Sequence, residues 1–165
     1  MAKTRPFEKE PERYERWFDR HEHAYRSEVE AVRQLLPEPL GRGLEIGIGS
    51  GRFALPLGIR EGVEPAAAMR RIAAERGLRV VDGVAEQLPF DDAVFDAALM
   101  VTTICFVDDP ALSCGEAARV LRRGGRFVLG IVARDSFLGR AYASRRDSSP
   151  FYREARFFSV REAAE

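Results

Sequence analysis

A glycine-rich stretch, Glu45-Ile46-Gly47-Ile48-Gly49-Ser50-Gly51, follows directly on Leu44 and constrains the fold of this chain more than any other segment. Glycines tolerate positive φ angles and let a ligand approach the backbone closely. In parallel α/β sheets such a loop lies at the carboxyl end of the first strand, where ligands bind. The N-terminus of the next helix then offers free N–H groups to the ligand. The stretch therefore predicts a ligand-binding loop, with a simple tight turn as the alternative.

Strand and helix signals alternate after this loop. Short apolar runs predict strands at 59–63, 78–81, 95–101 and 127–132, and helical patterns lie between them. Asp109 followed by Pro110 is a helix start signal, and Gly77 is a helix stop signal. This alternation indicates an α/β fold with a Rossmann-like, doubly wound, mostly parallel sheet and helices on both faces.

The two ends of the chain differ from this core. Residues 1–10 are polar and predict a mobile start, whereas apolar residues recur at helical spacing up to Leu36. We therefore expect an N-terminal helical cap over residues 1–36 and a core over 37–165. Ser159 and Glu162 form a capping-box pattern only three residues before the last residue. That pattern favours a C-terminally shortened version of a longer sequence.

The spacing of the glycines discriminates between ligands. A dinucleotide site requires G-x-G-x-x-G, but the third glycine, Gly51, comes one residue early and Arg52 occupies its place. Glu45, two residues before the first glycine, also favours a ligand without a pyrophosphate. Glu64, at the end of the second predicted strand, is suited to bind a ribose. A solvated loop acid is the alternative for Glu64.

The segment 83–90, GVAEQLPF, follows the third predicted strand. Its backbone could form a wall for an adenine ring, or it could be a simple loop that inserts Leu88 and Phe90 into the core.

Together these segments resemble the class I S-adenosylmethionine-dependent methyltransferases of the small-molecule branch, which includes the ubiquinone and menaquinone methyltransferases. The resemblance rests on LEIGIGSG (44–51), GVEP (62–65), GVAEQLPFDDAVFDAAL (83–99) and EAARVLRRGGRFVLG (116–130). It implies S-adenosyl-L-methionine as the cofactor and a small-molecule methyl acceptor as the partner.

The resemblance also implies a cofactor site. The loop 45–51 would hold the methionine and sugar, an acid would bind the ribose, and other residues would flank the adenine or the methyl group. The implied cofactor-binding residues are Glu45, Gly47, Gly49, Gly51, Glu64, Pro65, Met69, Ala85, Glu86 and Thr102. The N-terminal helices would close over the site, with Tyr14, Trp17 and Tyr25 as candidates and Tyr25 counted among the cofactor-binding residues, whereas aromatic core packing is the favoured role for at least two of the three.

Two departures from the family stand out. Val84 lies where family members often carry an Asp that accepts a hydrogen bond from the adenine amino group. The family also continues its sheet with two strands after the helix that begins at Ser159, so we expect the C-terminal strands to be missing here. No residue is assigned as a catalytic base.

Composition excludes several classes. A formal net charge of zero argues against a nucleic-acid partner or an anionic membrane surface, and His21 and His23 face different directions on a helix, so no metal site is expected. Two cysteines without a C-x-x-C pattern fit a cytoplasmic location. Four alternatives stay open: binding of S-adenosylmethionine or S-adenosylhomocysteine without turnover, a nicotinamide-dependent oxidoreductase, an interaction module, and a homodimer formed through an exposed fifth strand.

Overall fold

Five parallel strands form one sheet in the computed structural model, which describes residues 3–165. The strands are β1 (Gly43–Ile46), β2 (Glu61–Val63), β3 (Arg79–Val81), β4 (Phe95–Val101) and β5 (Leu121–Gly130), in the order β3-β2-β1-β4-β5. All four strand pairings are parallel. The predicted Rossmann-like α/β sheet is confirmed, and the order changes direction beside β1, which is where such sheets bind ligands.

Helices connect the strands and precede the sheet. They are α1 (Arg5–Lys9), α2 (Pro11–Arg20), α3 (Glu22–Arg33), α4 (Ala54–Leu57), α5 (Ala67–Glu75), α6 (Pro110–Val120), α7 (Phe137–Ser144) and α8 (Val160–Ala164), with a 3₁₀ turn at Arg146–Ser148. The Asp109 side chain accepts a hydrogen bond from Leu112 N at 3.0 Å, and Ser159 and Glu162 form the predicted capping box. Both predicted helix starts are therefore confirmed.

The sheet carries an apolar core on each face because side chains alternate along a strand. In β4, Leu99 packs with the N-terminal helices, in a cluster that includes Phe18 and Val32. Its neighbour Met100 packs on the other face, in a cluster that includes Val120 of α6. This two-sided burial explains why β4 is an almost uninterrupted apolar run.

Two predictions about local structure were wrong. Residues 5–9 form α1 rather than a mobile start, and Phe7 packs edge-on against Tyr14 and Phe106 at centroid distances of 5.7 and 5.3 Å. One aromatic side chain anchors this polar segment. The strand predicted at 127–132 begins earlier, at Leu121, because α6 ends at Val120 and β5 follows at once, with a register shift where it pairs with β4.

Within residues 3–165, no helix is both long and apolar enough to cross a membrane. The division into a cap and a core, and the absence of two C-terminal strands, stay predictions.

Candidate functional site

One pocket lies at the carboxyl edge of the sheet, where β1, β2, β3 and β4 end. Its wall includes seven of the residues predicted from the sequence, namely Gly47, Gly49, Glu64, Pro65, Ala85, Glu86 and Thr102. The opposite wall comes from the N-terminal helices and from the segment around Tyr152. Residues far apart in the sequence therefore meet at one concave site.

The glycine loop needs glycine for two different physical reasons. Gly47 and Gly49 have φ angles of +69° and +55°, which disfavour other residues. A Cβ atom at Gly47 would also lie 2.5 Å from Thr103 Oγ1, and one at Gly49 would lie 3.3 Å from the hydroxyl of Tyr14. The loop backbone is thus in direct reach of whatever fills the pocket.

Glu64 ties the second strand to the glycine loop. Its carboxylate is buried and accepts hydrogen bonds from Gly49 N at 2.9 Å and from Ala66 N at 2.8 Å, one at each oxygen. A carboxylate offers about four acceptor positions, so each oxygen keeps one for another donor. Burial raises the pKa of Glu64, while the two backbone donors lower it. Two adjacent free acceptors fit the paired hydroxyls of a ribose.

Glu45 lies in β1 behind the loop and is 2% exposed. Its Oε2 atom has no hydrogen-bond partner among the described residues. Burial raises the pKa of Glu45 well above its ordinary value of 4.5, a hydrogen bond from the Ala54 backbone lowers it, and the charge of Glu64 raises it further. The unliganded fold therefore leaves one buried carboxyl oxygen behind the glycine loop without a hydrogen-bond partner among the described residues.

Replacing Glu45 with Gln is expected to stabilise the unliganded protein, increasingly so as the pH rises. Because the pKa of Glu45 is higher in the folded state, the unfolded chain loses this proton first, and stability falls as the pH rises from about 4.5 through the folded pKa. Gln carries no charge and removes this loss. For a chain of this length, each kcal/mol of unfolding free energy corresponds to about 3 °C in Tm.

Thermal unfolding of both proteins at pH 5 and pH 8 measures this effect. We expect the Tm of Glu45→Gln to exceed that of the wild type more at pH 8 than at pH 5. Glu75→Gln, at the end of α5, is the control and should follow the wild type. An equal Tm difference between Glu45→Gln and the wild type at both pH values would contradict the raised pKa of Glu45.

The turn after β4 forms the floor of the pocket. Thr102 has a φ angle of +51°, an uncommon conformation for a residue with a side chain, and its N–H donates to Gly130 O at 2.8 Å. The hydroxyl of Thr103 donates to Val101 O at 3.1 Å or to Gly47 O at 3.3 Å. Backbone strain at such a position is typical of functional sites.

Cys105, in the same turn, is a buried thiol. Its sulfur donates to Thr102 O, and burial raises its pKa to about 12. A thiol that stays protonated is a poor nucleophile, which favours a structural role for Cys105.

Acidic side chains fasten the N-terminal helices over the pocket. Glu8 accepts hydrogen bonds from Ala67 N at 2.5 Å and Ala68 N at 3.1 Å, at the start of α5. Glu15 of α2 accepts from Arg52 Nε at 3.0 Å and also pairs with Arg76. Sequence reasoning missed both acids, because their partners are 37 to 61 positions away in the chain.

Four predicted residues lie outside the pocket wall. Glu45 is behind the loop, and Met69 is fully buried in α5. A side chain at Gly51 would collide with Leu78, and the Tyr25 hydroxyl donates to Arg52 O. Their assignment to cofactor binding stays a prediction.

Tyr14 and Trp17, by contrast, line the pocket. Burial raises the pKa of Tyr14, and the nearby charges of Glu45 and Glu64 raise it further. The Tyr14 hydroxyl therefore stays protonated beside the glycine loop and can donate a hydrogen bond to a ligand.

Comparison with known proteins places this geometry in context. Residues 44–129 match the family described as a methyltransferase domain. A solved structure from Thermotoga maritima, described as an S-adenosylmethionine-dependent methyltransferase and possible histamine N-methyltransferase, is 55% identical with a TM-score of 0.94, covering 98% of this chain and 77% of that one.

Two relatives carry no assigned function. An uncharacterised protein of Methanocaldococcus jannaschii is 45% identical over 96% of this chain and 77% of its own length. An uncharacterised protein of Mycobacterium tuberculosis is 39% identical over 90% of this chain, which spans 53% of that relative.

Proposed function

Because the chain belongs to the class I S-adenosylmethionine-dependent methyltransferases, we propose that it transfers the methyl group of S-adenosyl-L-methionine to a small molecule held in the same pocket. The observation that carries this proposal is the convergence of Glu64, the glycine loop and the turn after β4 on one pocket lined on its far side by aromatic rings. The cofactor is supported by the family, and the acceptor class is our inference.

Different residues of the site would contact different parts of the cofactor. Glu64 would accept hydrogen bonds from the two ribose hydroxyls, and Ala85 and Glu86 would border the adenine. Gly47 and Gly49 would contact the methionine part through their backbone. Tyr14 would add a hydroxyl donor from α2. The aromatic side chains around Phe7 and Phe106 would keep water from the reacting atoms.

The cofactor supplies a methyl group already activated on a positively charged sulfur, and a direct displacement passes it to the acceptor atom. The protein therefore contributes mainly position, and proximity with correct orientation supplies much of the rate in such reactions. Thr102 and Thr103 hold the pocket floor through bonds to Gly130 and Gly47. A base is needed only for an acceptor that must lose a proton.

Mass spectrometry of reactions with methyl-labelled cofactor and a panel of small amines, phenols, thiols and carboxylic acids tests this function. We expect a labelled product from at least one class, together with S-adenosylhomocysteine. Cofactor binding without product from any class would favour the alternative of binding without turnover. No binding of the cofactor would refute both functions.

A further inference from the structure

Stacked aromatic rings lead away from the turn after β4. Phe106 and Tyr152 stack with a centroid distance of 5.9 Å, and Tyr152 and Tyr142 stack at 4.9 Å, both pairs with planes inclined by 21°. Trp17 lies on the same pocket wall as Phe106 and Tyr152. We call Phe106, Tyr152, Tyr142 and the neighbouring Trp17 the ring stack; Phe106, Tyr152 and Trp17 line the pocket, and Tyr142 supports Tyr152 from behind.

Glu28 of α3 lies on the pocket wall beside the ring stack. Within residues 3–165 it has no hydrogen bond or ion pair with another side chain. The titratable groups that face it are Tyr142 and Tyr152, and its negative charge contributes to raising the pKa of both hydroxyls. The lysine on the pocket wall, Lys3, exerts its charge on Cys105 instead. Among the residues that the structure describes, no cationic side chain pairs with Glu28, so it brings a negative charge to this side of the pocket, while burial raises the pKa of its carboxyl.

We propose that the ring stack and Glu28 form the acceptor site, and that the acceptor is a small organic amine that enters as an ammonium ion. Aromatic faces attract organic cations, and the attraction grows when water is excluded. The carboxylate of Glu28 adds charge attraction and disfavours anions. The substrate class rests on the proposed methyl transfer, whereas the preference of the site for cations does not.

The proton of the ammonium ion has a defined path. The ammonium gives one N–H proton to the carboxylate of Glu28, which leaves a lone pair on nitrogen. Nitrogen then bonds to the methyl carbon as the carbon–sulfur bond breaks, with its electron pair staying on sulfur. Because Glu28 is exposed to solvent, it can pass its proton to water and regain its charge.

Trp17 is the only tryptophan in the chain, so its fluorescence reports on this site directly. We would titrate the full chain, saturated with S-adenosylhomocysteine, with 2-phenylethylamine, 2-phenylethanol and phenylacetate. These probes share a ring and differ in charge. We expect the amine to bind about fivefold more tightly than the alcohol, because one exposed ion pair and contacts between a cation and aromatic rings add binding free energy of this size. We expect phenylacetate to bind more weakly than both.

Glu28→Gln should remove the preference for the amine and leave the affinity for the alcohol unchanged. Glu30→Gln, on the same helix and paired with Arg33, is the matched control and should keep the preference. Equal binding of amine and alcohol by the wild type, or an unchanged preference in Glu28→Gln, would overturn the cation site. If amine binding is selective but no amine is methylated under any condition, the site stands and the proposed reaction fails.

Discussion

Replacing Glu64 with Ala is expected to lower the affinity for S-adenosylmethionine by about 100-fold or more. The wild-type carboxylate keeps two free acceptor positions for the ribose, and hydrogen bonds to charged groups contribute about 1.5–3 kcal/mol each. The substitution also releases Gly49 N and Ala66 N, which the carboxylate now holds. The glycine loop then keeps its backbone bonds to Val63 of β2 but loses the hydrogen bond that holds Gly49 N beside the cofactor site.

Titration calorimetry with S-adenosylmethionine and with S-adenosylhomocysteine measures the loss. Glu61→Ala is the matched control, because Glu61 begins the strand that Glu64 follows but binds Arg42 at 2.7 Å and lies outside the pocket wall. Its cofactor affinity should equal that of the wild type. An affinity of Glu64→Ala within a few-fold of the wild type, in a folded protein, would remove Glu64 from the cofactor site.

Gly47→Ala is expected to cost the fold about 3 kcal/mol and to weaken cofactor binding with it. A residue with a side chain at a left-handed φ costs about 1–3 kcal/mol, and Gly47 has φ +69°. The new Cβ atom would also lie 2.5 Å from Thr103 Oγ1, so the turn after β4 must move. One methyl group therefore displaces both the glycine loop and the floor of the pocket.

Urea unfolding of matched variants separates the cost of the left-handed φ from the cost of the collision with Thr103. Gly77→Ala is the control, since Gly77 has φ +82° but a Cβ there meets nothing within 4 Å. We expect it to lose only the conformational part and to keep cofactor affinity. Adding Thr103→Ala to Gly47→Ala removes the colliding atoms and should restore part of the lost stability. Equal destabilisation by Gly47→Ala and Gly77→Ala would show that the collision is unimportant.

Local sequence patterns were sufficient to predict much of the fold. The apolar run of β4 matched its observed bounds, and Asp109 with Pro110 marked the start of α6, because both signals act over a few neighbouring residues. The glycine loop and Glu64 also met in one pocket, since the carboxyl ends of parallel strands share one edge of a sheet.

Other features depend on contacts between distant segments. Nothing near Gly51 in the sequence shows that a side chain there would meet Leu78. Glu8 looked like one charge among many in a polar start, and its role at α5 requires the fold to bring residues 8 and 67 together. The same holds for Glu28, whose neighbours Tyr142 and Tyr152 come from the far end of the chain.

Two separate sets of structural elements form the pocket, and substitutions in one set need not affect the other. The strand edge and the glycine loop supply one wall, and their geometry is fixed by collisions, buried acids and sheet pairing. The facing wall comes from the N-terminal helices and the segment around Tyr152, which form no strand of the sheet. New acceptors could therefore evolve through substitutions on that facing wall alone, while an unchanged strand edge continued to bind the same methyl donor.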